Sequence, residues 1–519
     1  MFWNHFQEER IRKAYYDSLA TAVDRLEEGG ISFLPAAYCT FAYDDIRLVK
    51  RCGRAIRCLL KPYTIRQMIR LSEQFRQYTS VEWNIDWQKV SLKEIRDQFE
   101  SEEDYTYALI AGSFHPNGYF REQCVGEMAA YPQTLPYMIL RMNDWVGNVR
   151  NRAVKMIGEK LDRCPLDEIF PALITLDKVK RSERRGDREL ASIEARIKER
   201  MEREMKDAPV YLILKYEFDI RKCIYRYLFS GKILEQEKAD YLLARERHSY
   251  CQTVIISGIL KDYDCSLEQI DRYLLHKSAC VRRKAMDKKY DLLRDAWTGL
   301  ETFLLDKNRG IRELAAFILG RHRDFDVPGY YICHLKDEKP ETAITGLAET
   351  GSRDHAKMII PFLTNPDETV VKAAVGALGR LMKEEGESLF WTYLSDPRIP
   401  VSKAAYQAVR SSRIRYGAEK LYGCWKMSGE SHVKRYLIRL LILENTWNSL
   451  PYLLLLYQEP ETEEIRGSIL AALHCRSLYT YITKEQGQFI TQLLDEVGGG
   501  LPGKLADEIR FDLKFIVKG

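Results

Sequence analysis

The phrase "NDWVGNVRNRAVKMIGEKL" (143–161) returns in altered form as "LDKNRGIRELAAFILG" from Leu305 onward. A chain that repeats itself at a fixed interval folds as an array, because one unit cannot bury its apolar face without the next. The two phrases align on a turn residue, Asp144 and Asp306. An apolar residue follows five positions later (Val149, Ile311) and an arginine six positions later (Arg150, Arg312). Small and apolar residues continue at helical spacing: Ala153, Met156 and Ile157 in one, Ala315, Ile318 and Leu319 in the other. The same frame fits turn residues His115, Lys215, His276, Asp337, Asn365, Asp396, Ser428 and Pro460, and more loosely Lys178 and Glu246. From Lys215 onward the turn residues lie 28 to 32 apart. Two helices of ~10–14 residues with their turns fill such a period.

The position five after the turn is apolar in nearly every unit: Phe120, Val149, Ile220, Val281, Ile311, Val370, Val401, Val433 and Ile465. It reads as the first buried residue of each second helix. Prolines 136, 171, 209, 361 and 451 fall near the start of the first helix, where the leading N–H groups have no helical partner. No segment alternates with period two, so a sheet is not expected. The spacing fails once. Asp144 and Lys215 are 71 residues apart, where two units need about 60. The excess falls in 178–206, where Leu190, Ile193, Ile197, Met201 and Met205 form a helical stripe after a charged hairpin. The expected organisation is a helical N-terminal cap over 1–103, an array over 104–477 lengthened at 178–206, and a helical C-terminal cap over 478–519.

In "LTNPDETVVKAAVGALGRL" and "LSDPRIPVSKAAYQAV" the sequence resembles the HEAT-repeat family, in particular its short bacterial units. The resemblance covers roughly 105–475. It implies an all-α, right-handed α-solenoid of about twelve helix pairs. In that family a turn Asp and a second-helix Arg form a ladder along the array. Asp144 with Arg150 and Asp306 with Arg312 carry both members. Arg121, Arg221, Arg282, Lys434 and Arg466 stand six residues after a non-acid, which predicts a broken ladder. HEAT arrays serve many partners, so the resemblance carries more about fold than about function.

With 80 basic and 75 acidic residues the net charge is only +5, so anion binding would have to come from local patches. "MFWNHFQEERIRK" lacks the cationic start and apolar run of a signal peptide. The most apolar runs, "TVIISGIL" and "SLPYLLLLY", fall far short of the ~18 residues that a membrane span requires. The 12 cysteines form no C-x-x-C pair, which fits core thiols in a reducing, cytoplasmic compartment.

"GGGLPGK" (498–504) satisfies G-x-x-x-x-G-K, but a helical pattern precedes it and Leu505 follows the lysine, where a phosphate loop needs a strand before and Ser or Thr after. It reads as a helix end and a turn. The histidines form no H-E-x-x-H and no cluster with cysteine; His115 and His276 occupy turn positions where a capping group is expected. No nucleophile signature occurs. Accordingly no catalytic residue, metal site or cofactor is assigned.

Two basic segments remain. In "DDIRLVKRCGRAIRCLLK" (44–61), Arg47, Lys50, Arg51, Arg54, Arg57 and Lys61 fall within an arc of about 120° at 100° per residue, with Asp44 and Asp45 at the N-terminal end. Six like charges on one stripe repel, and an anion inside or outside the protein would relieve them. Residues 403–439 hold nine basic and two acidic residues, among them Arg410, Arg413 and Arg415, with Tyr416, Tyr422 and Trp425 interspersed. Such aromatics serve single-stranded nucleic acid in some proteins and the core in most solenoids. The expected function is a binding scaffold that presents a curved helical surface to a protein partner. The alternative is a nucleic-acid-binding HEAT-like protein of the alkylpurine DNA glycosylase class, and a weaker one is a lyase of the phycobilin type.

Overall fold

A computed structural model describes residues 2–43, 45–75, 85–182 and 187–518, with only the backbone of 2–13, 187 and 518. Asp44 and positions 183–186 of the charged hairpin therefore lie outside the described residues. The described chain is almost wholly helical, a HEAT-like solenoid of successive helix pairs. The exception is a parallel pairing of Ile482–Thr483 with Val517–Lys518, strands too short to show alternation. The chain divides into two compact units, 1–289 and 290–519.

The turn residues read from the sequence fall between paired helices. In the first unit His115 separates Glu102–Gly112 from Gly118–Met128, and Glu246 separates Gln236–Arg245 from Ser249–Asp262. In the second, Asp396 separates Glu387–Leu394 from Ile399–Ser411, and Ser428 separates Ala418–Met427 from Ser431–Leu443. Lys178 is misplaced: it lies in the last turn of Leu166–Lys180. Phe120, Val149, Val281, Ile311, Val370, Val401, Val433 and Ile465 are buried, as the register requires; Ile220 is only half-buried. Pro136 lies in a first helical turn, but Pro171 and Pro451 lie inside Leu166–Lys180 and Thr446–Gln458, past the turn where proline costs nothing.

The lengthening at 178–206 supplies the Asp187–Met205 helix. Its stripe, Leu190 to Met205, is fully buried. Its polar side does structural work too. Arg196 donates to the Gly158 carbonyl at 2.7 Å and Arg200 to the Cys164 carbonyl at 2.8 Å, and Arg200 also reaches Leu161. The Gly158 and Leu161 carbonyls belong to the last turn of the Gly147–Leu161 helix, which lacks intrahelical donors, and Cys164 lies in the loop that follows.

At three of the five places where the sequence predicts a break, Arg121, Arg221 and Lys434, the cation is paired with an acid all the same. Arg121 grips the Asp144 carboxylate of the following unit, Nε at 3.1 Å and Nη2 at 2.7 Å, while Nη1 donates to its own turn carbonyl at His115. Arg221 does the same with Glu246 and the Tyr216 carbonyl. The acid is supplied by the next unit, so a non-acid at an arginine's own turn does not interrupt the pairing. Burial acts to raise the Asp144 carboxyl pKa, but Arg121 and Arg141 outweigh it and hold it below the ordinary range. His115 fits its expected role. Its Nδ1 accepts the Asn117 N–H, and burial, with Arg121 adding to it, lowers its pKa to about 3.

"GGGLPGK" is a turn as expected: the Lys484–Val497 helix leads into a 3-10 turn at Gly498–Gly500, and Gly503 takes a left-handed φ of 62° before the Leu505–Ile516 helix. All 12 cysteines are free thiols. Among the described residues no His/Cys/Asp/Glu group could hold a metal ion, and no helix is long and apolar enough to cross a membrane.

Candidate partner-binding surface

The two basic segments prove different. The first forms the Ile46–Leu60 helix, with Asp45 as its N-cap, accepting from the N–H groups of Arg47 and Leu48. Its apolar side, including Val49, Cys52 and Ile56, is core. Most of its cations meet acids of neighbouring helices. Arg51 pairs with Asp24 at 2.7 Å and Glu27 at 2.6 Å, Lys61 with Glu103 at 2.8 Å, Arg57 with Asp104 and Lys50 with Glu100. Glu27 and Asp24 hold the Arg51 pKa above its ordinary value; Lys61 holds that of Glu103, and Lys50 that of Glu100, below theirs. Arg47 and Arg54 are exposed, with no ion pair among the described residues.

In the second segment Arg410 closes the Ile399–Ser411 helix, Arg413 has a left-handed φ of 55° and Arg415 follows. All three are exposed and carry no ion pair among the described residues. Tyr416 and Trp425 are core residues: the Tyr416 hydroxyl donates to the Glu387 carbonyl at 2.8 Å, and Trp425 stacks on the half-buried Tyr422.

A groove of about 630 Å³ lies nearby, but none of these three arginines lines it. The second helices Glu341–Thr350, Glu368–Leu381 and Ile399–Ser411 form its walls, each packed on the next. Its floor is Ala373, Gly376, Ala377, Ala404 and Ala408. Small residues allow the helices to close up, and a Cβ on Gly379 would stand 2.6 Å from that of Ala408. Gly376 is different, since a Cβ there meets nothing within 4 Å. A glycine inside a helix costs about 1 kcal/mol relative to alanine, and no packing contact demands this one. What it does is keep the floor low.

Lys307, Lys372, Arg312 and Arg380 line the groove, opposed among its lining residues by Glu341 alone. Beneath it the nearly buried Glu349 carboxylate accepts from Arg312 Nη2 at 2.7 Å and Nε at 3.0 Å and from Arg380 at 3.1 Å; Arg309 stands 3.7 Å away. Arg309 is itself held by Glu313 at 2.7 Å, so Glu349 serves chiefly Arg312 and Arg380, two guanidiniums on one carboxylate. The sequence reading missed Glu349 because it looked for the partner of Arg312 at the turn. It also missed Lys372 and Lys403, although both stand seven residues after turn residues Asn365 and Asp396, as Arg435 does after Ser428.

No protein-family profile matches the chain, and neither does any curated protein sequence. Solved structures of the karyopherin Kap121p are similar at low identity. Kap121p bound to the SUMO protease Ulp1p is 13% identical with a TM-score of 0.35, over 95% of this chain and 62% of that one. Unbound Kap121p is 11% identical with a TM-score of 0.34, over 98% and 64%. Kap121p bound to Nup53p is 13% identical with a TM-score of 0.34, over 98% and 65%. The chain spans less than two thirds of the length of these karyopherin chains.

Proposed function

We propose that the protein is a non-catalytic cytoplasmic scaffold that seats a segment of a partner protein along the second helices of its 290–519 unit. The observation that carries this reading is the cation-lined groove over Gly376, where a side chain would meet open space. Internal pairing accounts for four of the six cations of the 44–61 stripe, whereas the groove's exposed Lys307 and Lys372 have no ion pair among the described residues. The nucleic-acid alternative draws support only from the exposed cations. Base stacking needs accessible rings, and the tyrosines on these helices, Tyr406 and Tyr436, are buried and stacked on each other at 5.0 Å.

Affinity capture from nuclease-treated lysate, comparing the wild-type chain with Gly376→Leu, tests the proposal. A protein retained by the wild type and lost by the variant is expected. Retention that disappears on nuclease treatment favours the nucleic-acid reading, and identical retention by both chains overturns the groove.

A further inference from the structure

Resting on that scaffold reading, we infer that the segment seated over the groove is an extended acidic one, with carboxylates at about every third residue. The inference starts from charge. The helices Glu368–Leu381, Ile399–Ser411 and Ser431–Leu443 carry Lys372, Arg380, Lys403, Arg410, Lys434, Arg435 and Arg439, against one acid, Glu368. Glu368 sits in a first turn, where the helix dipole favours an acid. Arg380, Lys434 and Arg435 reach Glu349, Glu461 and Glu464. Lys372, Lys403, Arg410 and Arg439 are exposed without an ion pair among the described residues.

Spacing follows from register. Lys372, Lys403 and Arg435 hold the same place in successive units on neighbouring helices; Lys372 lines the groove, Lys403 and Arg435 continue the register beyond it, and Arg435 also holds Glu464 at 3.1 Å. Packed helices lie about 8–10 Å apart. An extended chain in the polyproline II conformation advances about 3.1 Å per residue with about three residues per turn, so every third side chain returns to the same face about 9 Å along and meets the next cation. The alanine and glycine floor admits a backbone laid across it and offers no ring for a base to stack on. A strip of this kind is complementary to a polypeptide bearing Asp or Glu at intervals of three, and not to a compact acidic cluster.

Fluorescence anisotropy with two labelled 15-residue peptides tests this. Both carry five Asp; in one they recur every third residue, in the other they are contiguous. An oligodeoxynucleotide of similar charge is the third probe. The spaced peptide is expected to bind most tightly at low salt, with affinity that falls as salt rises. Lys372→Gln with Lys403→Gln should weaken it about tenfold, as for the loss of two exposed ion pairs. Gly376→Leu should abolish binding while circular dichroism stays unchanged, because the new side chain points into open space. Equal binding of the two peptides, tighter binding of the oligonucleotide, or spaced-peptide binding that survives the variants would each overturn the inference. If no acidic peptide binds but Gly376→Leu still loses a captured protein, the acidic assignment fails and the scaffold reading stands.

Discussion

The Ile46–Leu60 helix and the second helices from Glu368 to Leu443 look alike as strings: cations at helical spacing over an apolar face. In the fold they differ in degree. Four of the six cations of the first close on acids brought by Phe2–Glu27, Glu102–Gly112 and the turn at Glu100, leaving Arg47 and Arg54; of the seven on the second helices three close on acids, while Lys372, Lys403, Arg410 and Arg439 close on nothing described. A charged stripe therefore reports only that an anion is wanted. Whether the fold supplies it depends on helices that are remote in sequence, here 24 to 50 residues away. Cations left over after internal pairing are the ones free to meet an external anion.

The sharpest contrast to both surfaces is the buried ladder, and it should show the largest effect. Arg121 is fully buried against Asp144, so Arg121→Ala leaves a buried carboxylate to Arg141 alone, at 3.3 Å, and should cost about 3 kcal/mol by chemical denaturation. A loss below 1 kcal/mol would place that pair with the exposed ones. The same region sets the acid response. His115 titrates near 3 in the fold against an ordinary 6.5, so below about pH 6.5 the unfolded chain binds a proton that the folded one refuses. Stability should thus fall progressively from pH 6.5 downward, and His115→Gln should flatten that slope. Asp144 and Glu246, held low by their arginines, contribute stability above the ordinary carboxylate range and lose it as pH falls through their depressed values.

Next come the register positions. Val149, Ile311 and Val433 are each almost wholly buried, and truncation to Ala should cost about 1–3 kcal/mol in either unit. A change within about 0.5 kcal/mol would mean the site collapses around the missing methyls.

Much of this was legible before the coordinates. Turn residues and the buried fifth position follow from the period of 28 to 32 residues, with Lys178 and Ile220 the exceptions, and the buried stripe of the inserted helix follows from its own helical spacing. The partner of Arg312 was not legible: Asp337, the acid at the next turn, is engaged by His334 at 2.7 Å, and Glu349 on the following helix takes the guanidinium. Nor was the pairing of Arg51 with Glu27, since no periodicity relates the terminal helix to the one at Ile46. The groove needed Gly376 to be seen facing open space, and a glycine in a string of alanines looks like packing.

The smallest expected effects decide the comparison. Arg51→Gln removes a cation held by two carboxylates and should cost about 0.5–1 kcal/mol, since both acids are half exposed and solvent screens the pair. Lys403→Gln with Arg410→Gln removes two cations that hold nothing in the fold, so stability should stay within about 0.5 kcal/mol. Its sign should be slightly positive, because repulsion along a one-signed face is relieved. Salt should separate the two as well. Raising ionic strength weakens the attraction at Arg51 and so narrows the gap between wild type and Arg51→Gln, while it screens the repulsion and narrows the small gain of the double variant. Both can be read in one denaturation series at low and high salt. If the double variant instead loses more than about 1 kcal/mol, those cations are paired within the fold. The two surfaces would then be of one kind, and the outward-pointing charge on the second helices would have to be sought elsewhere.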